Sequence, residues 1–319
     1  MARIAITSGY YGDTTVDHYG SGTTTEFIPK LYSKKVLKNF NKKTFYDEIC
    51  NTDYAGEIKN QGDTVIIRKT PDLTVGTYAV GGTLSYQVPE KASTSLVIDK
   101  ARYVAFRVDD IDAVQSDIGL INTFANDAAD KLKIAVDAEV LAYMATGAAA
   151  ANKGATAGAL SANLNLGSAA TNAGSVAVTS LNAVDQIVLM NQVLDEANQP
   201  SEGRFIVLPA WYCAMLKLGD LRRADLTGDG SGVIRNGVIG MVDRTTIYQS
   251  NNLPHVTDTN EIFTVIAGTK EATTFAAQIS KTDSLQIPDS FGEYWRTLLV
   301  FGRSVVQPTA LSTMFCKRG

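Results

Sequence analysis

Residues 109–145 read DDIDAVQSDIGLINTFANDAADKLKIAVDAEVLAYMA. The stretch holds no proline, and its only glycine, Gly119, falls near the start. Apolar residues recur at Ile121, Phe124, Ala125, Ala128, Leu132, Ala135 and Val136, the i, i+3, i+4, i+7 spacing of one helical face. Asp109, Asp110, Asp112 and Asp117 crowd its beginning, where the helix dipole and unpaired N–H groups favour negative charge. Ser116 is the expected N-cap. A helix from there to Ala145 would run about 45 Å, given a rise of ~1.5 Å per residue. Such a helix can act as a girder for the other elements. An amphipathic core helix of a larger α+β enzyme would show the same periodicity.

The 319-residue chain has room for two or three domains, and its 45% hydrophobic and 19% charged content suits a sizeable core. A net charge of −4 argues against a dedicated nucleic-acid binder, which would carry a basic stripe, but not against loose contact through a local patch. Cys50, Cys213 and Cys316 are too scattered for a disulfide framework or a zinc site and read as buried thiols of a reducing compartment. The first residues, MARIAITSGYYGDTTVDHYGSG, lack the build of a signal peptide, and no apolar run is long enough to span a bilayer. A soluble, cytoplasmically made protein with no membrane partner is expected.

Residues 1–25 are rich in Gly, Ser, Thr and Tyr and cannot bury themselves. Their tyrosines, Tyr10, Tyr11 and Tyr19, suit an arm laid along another surface. FIPKLYSKKVLKNF (27–40) is a short basic amphipathic stretch. GDTVIIRK (62–69) and ARYVAFRVDD (101–110) read as strands. Between them, TPDLTVGTYAVGGTLSYQVPEKAST is too long for a turn and reads as an extended two-stranded flap that needs a neighbour to lie on. Residues 147–178 are low-complexity and read as a surface insertion with short β segments. SLNAVDQIVLMNQVLDEAN (180–198) predicts a second helix, with Val184, Ile187, Val188, Met190, Val193 and Leu194 on its apolar side and Pro200 as its stop. RFIVLP (204–209) is a buried strand, 211–218 a helix and 224–232 a loop. Residues 237–254 read as strand, turn and strand, and 261–269, 272–280 and 293–308 complete a β-rich end.

His18, in the polar N-terminal segment, and His255, in a predicted loop, are the only histidines, which argues against a histidine triad or metal cluster. No nucleophile elbow, Walker loop or C-x-x-C occurs. The run from Gly228 to Gly232 lacks the strand and helix of a phosphate cradle. Asp225, Thr227, Asp229 and Gly230 match a calcium loop, but Asn236 stands where a bidentate Glu is required. Asp109, Asp110 and Asp112 are explained by helix-start electrostatics without an acid–base pair or a magnesium ion. No catalytic residue, cofactor or metal is expected.

The order of parts, and the wording of DYAGEIKNQGDTVIIRK, RVDDIDAVQSD, LDEANQPSEGRFIVLPAWYCAML, IYQSNNLP and FGRSVVQPTAL, resembles the major capsid proteins of tailed double-stranded DNA bacteriophages, over about residues 26–319. The resemblance implies an α+β, Hong Kong 97-like fold: an N-terminal arm (1–55), an extended loop with flanking strands (56–110), a peripheral domain with its spine helix (111–147), an axial domain (148–270) and C-terminal strands returning to the peripheral domain (271–319). It implies self-assembly as pentamers and hexamers into an icosahedral head shell around a double-stranded DNA genome. Scaffolding and portal proteins are the further partners it implies, together with decoration proteins and non-specific contact with packaged DNA. An encapsulin-type nanocompartment shell is the alternative within the fold, and a soluble enzyme with an Ala/Gly-rich lid the alternative outside it. Tyr78, Ala79, Val80, Gly81 and Gly82 are the expected inter-subunit contact at the loop tip. The basic arm segment, with Lys34, Lys35 and Lys38 at its centre, is expected to meet an acidic protein surface such as the 109–112 cluster of an adjacent spine helix.

Overall fold

The computed structural model describes residues 41–54, 64–71, 73–88, 93–108, 120–219, 240–286 and 292–319. Its first elements are a one-turn helix, α1 (Tyr46–Ile49), the hairpin strands β1 (Thr64–Arg68) and β2 (Ser93–Val97), and the longer β3 (Lys100–Val108). The 109–145 stretch then folds as α2 (Leu120–Gly147), 28 residues long, running two residues past the expected end. Ser116 and the carboxylates of 109–117 lie outside the described residues.

The buried stripe of α2 is Ala128, Leu132, Val136, Val140 and Met144, with Asp137 and Leu141 beside it. These sit four residues apart, and a row at that spacing drifts round the helix axis as it climbs. Phe124 and Ala135 therefore fall off the stripe, contrary to the reading of one straight face. Phe124 instead meets Phe106 of β3 edge-on at 5.9 Å.

After α2 come β4 (Val176–Val178), helix α3 (Ala183–Glu196), β5 (Arg204–Leu208), helix α4 (Ala210–Leu218), β6 (Met241–Val242), β7 (Thr245–Gln249), β8 (His255–Asp258) and β9 (Asn260–Thr269). The chain closes with β10 (Thr273–Gln286), β11 (Glu293–Val305) and β12 (Leu311–Arg318). A seven-stranded sheet has the order β4-β12-β9-β5-β7-β6, with β8 on β9; β5–β7 and β4–β12 are parallel. All five residues of β5 are buried, as suits a strand covered on both faces. Phe205, Val207, Ile266 and Leu311 face the stripe of α2, while Ile206, Leu208, Val265, Ala267 and Met314 face α3 and α4. The body is thus helix, sheet, helix.

The structure departs from the sequence-based expectation in four places. Residues 147–178 do not form a surface insertion: Ala157, Leu166 and Val178 are buried, the Phe315 N–H bonds to the Leu166 carbonyl at 2.9 Å, and β4 extends the sheet beside β12. Helix α3 ends before Pro200, because Asn198 takes φ 55° and the N–H groups of Asn198 and Gln199 turn back to the carbonyls of Asp195 and Leu194. On α3, Val188 is exposed and Asn191 is buried in its place. His255 begins a strand, stacked on Phe263 at 5.3 Å, rather than lying in a loop. Residues 224–232, expected as a loop, lie outside the described residues. Within 271–319, β10 and β11 join β3 in a three-stranded sheet, while β12 enters the seven-stranded one.

Candidate functional site: an assembly surface

β1 and β2 pair antiparallel, Thr64 opposite Val97 and Arg68 opposite Ser93. Continued without a slip, this register brings Thr74 opposite Gln87 and Ala79 opposite Gly82, and both pairs are in contact. The Gly82 N–H bonds to the Ala79 carbonyl at 2.8 Å. The Gln87 amide accepts from the Thr74 N–H at 3.0 Å and donates to the Thr74 carbonyl at 2.6 Å. The described residues 64–71, 73–88 and 93–97 thus share one hairpin register. Gly81, at φ 84°, occupies the third position of a type II turn, a conformation open to glycine at little cost.

The expected two-stranded ladder is present only at the base. A type II turn twists against the natural right-handed twist of paired strands and splays them. Among the described residues, the limbs 73–79 and 82–88 share one backbone–backbone bond, that of Gly82, and a side chain, Gln87, bridges the gap.

The register sorts the hairpin into two faces. Ile67 and Leu96 lie on one, buried at the base against Ile98, Ala276 and Val306. The same alternation continues outward to Leu73, Val75, Leu84, Tyr86 and Val88, which are 60%, 100%, 58%, 87% and 87% exposed. The pattern that packs the base therefore runs on where the subunit offers nothing to pack against. Thr74, Gly76, Tyr78, Thr83, Ser85 and Gln87 occupy the other face. Of the expected contact residues, Val80 stands fully exposed at the turn, while Tyr78 belongs to the polar face. Period-2 alternation in LTVGTYAV and LSYQV was the signal for the missed stripe.

The base is seated closely on β11. The Ser304 hydroxyl donates to the Ser95 carbonyl at 3.1 Å, and Gly302 lies against Val97 so tightly that a Cβ there would overlap the Val97 carbonyl.

A model of a family described as phage capsid protein matches residues 92–312. The chain belongs to the phage capsid protein family. Among solved structures it is similar to that of Mycobacterium phage Che8, at 27% identity and a TM-score of 0.75 over 92% of this chain and 98% of that one. The capsid of cyanophage P-SCSP1u (17% identity, TM-score 0.70, 94% and 96% covered) and the mature capsid of bacteriophage PhiM1 (14%, 0.65, 98% and 99%) share the fold. No curated protein matches the chain. This capsid protein has an α+β, Hong Kong 97-like fold, that of the major capsid proteins of tailed phages, and its role is structural.

In this capsid protein α2 holds other segments by two carboxylates. Asp137 is fully buried and accepts the N–H groups of Phe45 and Tyr46 at 2.9 and 3.0 Å, capping α1, and the Asn252 amide at 2.6 Å. Burial pushes its carboxyl above the usual range, against the lowering effect of the three donors. Glu139 accepts from Arg102 of β3 at 2.7 Å and from Arg303 of β11 at 2.6 Å, fastening the three-stranded sheet to α2. Residues 41–46 run along α2, with the Asn41 amide 3.1 Å from Asp130. Lys42 donates to the Asn251 carbonyl at 3.2 Å, and Lys43 lies over the Phe45 ring. Lys34, Lys35 and Lys38 lie outside the described residues.

The three cysteines are free and buried, and burial pushes the Cys50 and Cys213 thiols up to about 12 and about 11. Among the described residues no group of His, Cys, Asp and Glu could hold a metal, and no helix is long and apolar enough to cross a membrane.

Proposed function

We propose that this capsid protein assembles as pentamers and hexamers into an icosahedral shell that encloses a double-stranded DNA genome, built in the host cytoplasm and retained in the virion. The observation that carries this reading is the exposed apolar face of the 64–97 hairpin. Each such side chain contributes ~1.5–3 kcal/mol when fully withdrawn from water, so a ribbon carrying five favours a neighbour. In this reading the hairpin tip, Tyr78 to Gly82, and the stripe behind it lie on an adjacent subunit. Residues 1–55 act as the arm, 56–110 as the extended loop and its strands, and 111–147 as the peripheral domain on its spine. Residues 148–270 form the axial domain, and 271–319 carry the returning strands.

Scaffolding and portal proteins direct closure, decoration proteins bind outside, and packaged DNA is met without sequence preference. Lys34, Lys35 and Lys38 pair with protein, since a net charge of −4 does not suit a tight grip on DNA. Electron microscopy of the concentrated protein should show closed shells or rings. Deleting 76–84 should leave a folded subunit with impaired assembly, because every residue of that segment is exposed. A persistent 34.2 kDa monomer in the presence of scaffolding protein would overturn the reading.

A further inference from the structure

Register decides what the hairpin presents. With Thr74 opposite Gln87, Leu73 stands opposite Val88 and Val75 opposite Tyr86, all four on the apolar face. A slip of one residue would set the apolar positions of one limb against the polar positions of the other and split the stripe between two faces. Little backbone pairing opposes such a slip. Among the described residues of limbs 73–79 and 82–88, the one backbone–backbone bond between them belongs to the turn itself.

Gln87 supplies the missing tie. Its side-chain oxygen accepts the Thr74 N–H at 3.0 Å, and its NH2 group donates to the Thr74 carbonyl at 2.6 Å and to the Thr74 hydroxyl at 2.7 Å. One amide thus meets both backbone groups of a single residue, as the rung of an antiparallel ladder does. It does so across limbs that the type II turn splays. Only a primary amide carries this acceptor and these two donors together; a carboxylate cannot donate and a lysine cannot accept. The tie sits on the polar face, directly behind the pairs Leu73–Val88 and Val75–Tyr86, so it fixes them without covering them. Both Thr74 and Gln87 are exposed, so the tie adds nothing to the packing of the core.

We propose that Gln87 is a positioning residue: it locks the register of the hairpin in the free subunit, so that the apolar stripe is gathered on one face before a neighbour is met. The lock is a property of the unassembled chain, and its effect on assembly rests on the reading of the hairpin as a contact between subunits. A segment ordered beforehand does not pay that ordering at the moment of association.

Hydrogen exchange of the full-length, unassembled protein tests the lock. The Thr74 amide should exchange about two- to tenfold faster in Gln87→Ala than in the wild type, the factor expected of one net hydrogen bond. The melting temperature should not change, and shell formation followed by light scattering should slow by a similar factor. Gln87→Glu accepts but cannot donate when ionised. Relative to Gln87→Ala at the same pH, its Thr74 amide should slow further as pH falls through about 4.3, where the protonated carboxyl regains a donor. Equal exchange at Thr74 in the wild type and Gln87→Ala would overturn the lock. Faster exchange with shell formation at the wild-type rate would overturn its role in assembly, and a lowered melting temperature would overturn it in favour of a general support of the fold. A wild type that protects Thr74 but forms no shells would overturn the proposed function and leave the lock standing, so the two failures are distinguishable.

Discussion

Asp137 combines an unfavourable burial with three donors that depend on it. Asp137→Ala strands two backbone N–H groups and an amide, and should cost about 3 kcal/mol or more, since each buried orphan costs ~1–3. Asp137→Asn should cost far less. Its carbonyl still accepts from Phe45 and Tyr46, and Asn252 can rotate to offer its unpaired oxygen to the new amide. The pH dependence distinguishes the two residues. A carboxyl raised in the fold takes up its proton earlier there than in the unfolded chain. The wild type should therefore gain stability relative to Asp137→Asn as pH falls through the raised value, and the gain should level off below 3.8. Urea unfolding of unassembled subunits across that window tests it.

Glu196 runs the other way. The N–H groups of Ser161 and Leu160 pull its carboxyl down to about 2 from 4.5, tying the 158–161 turn to α3. Its stabilisation is present above pH 4.5 and is lost as pH falls towards 2. The difference in urea midpoint between wild type and Glu196→Gln should close over that interval.

Among the elements, the hairpin has a base and a tip that answer to different neighbours. Gly302→Ala would drive a Cβ into the Val97 carbonyl and lift β2 off β11, at about 1–3 kcal/mol, the usual cost of overpacking. It should lower the melting temperature of the unassembled subunit. Gly81→Ala meets no atom but must adopt φ 84°, a local strain of about 1 kcal/mol at an exposed tip. Its melting temperature should stay near wild type while assembly, followed by light scattering, slows. Equal effects of the two on melting would show that the tip belongs to the subunit's own core.

At the scale of the whole molecule, two cores grip the seven-stranded sheet from opposite faces, and a third, small cluster seats the hairpin. The layered body thus holds the base of the hairpin, while its outer face remains open to other copies. Charge pairing between subunits should be screened beyond ~8 Å at physiological salt. If Lys34, Lys35 and Lys38 pair with protein, their joint replacement by Gln should impair empty-shell assembly, and high salt should impair the wild type likewise. Normal empty shells that fail only to retain a genome would assign these lysines to DNA.

The sequence by itself determined the local elements: the long helix, the buried strand of 204–208, the hairpin and its turn. Each rests on a period of 3.6 or 2, or on a glycine, within a few residues of itself. It also carried the apolar alternation of 73–88 in plain view. Which face met the body could be judged only once Ile67 and Leu96 were seen buried at the base. Tertiary structure alone decided that 147–178 lies against β12 and that β12 crosses to the central sheet. It also decided that Asp137 caps a helix turn whose Tyr46 lies 91 residues away and that Glu139 fastens β3 and β11 to α2. These arrangements come from pairing between segments far apart in the chain. Such partners leave no local period, because each is specified by what the rest of the fold brings opposite it.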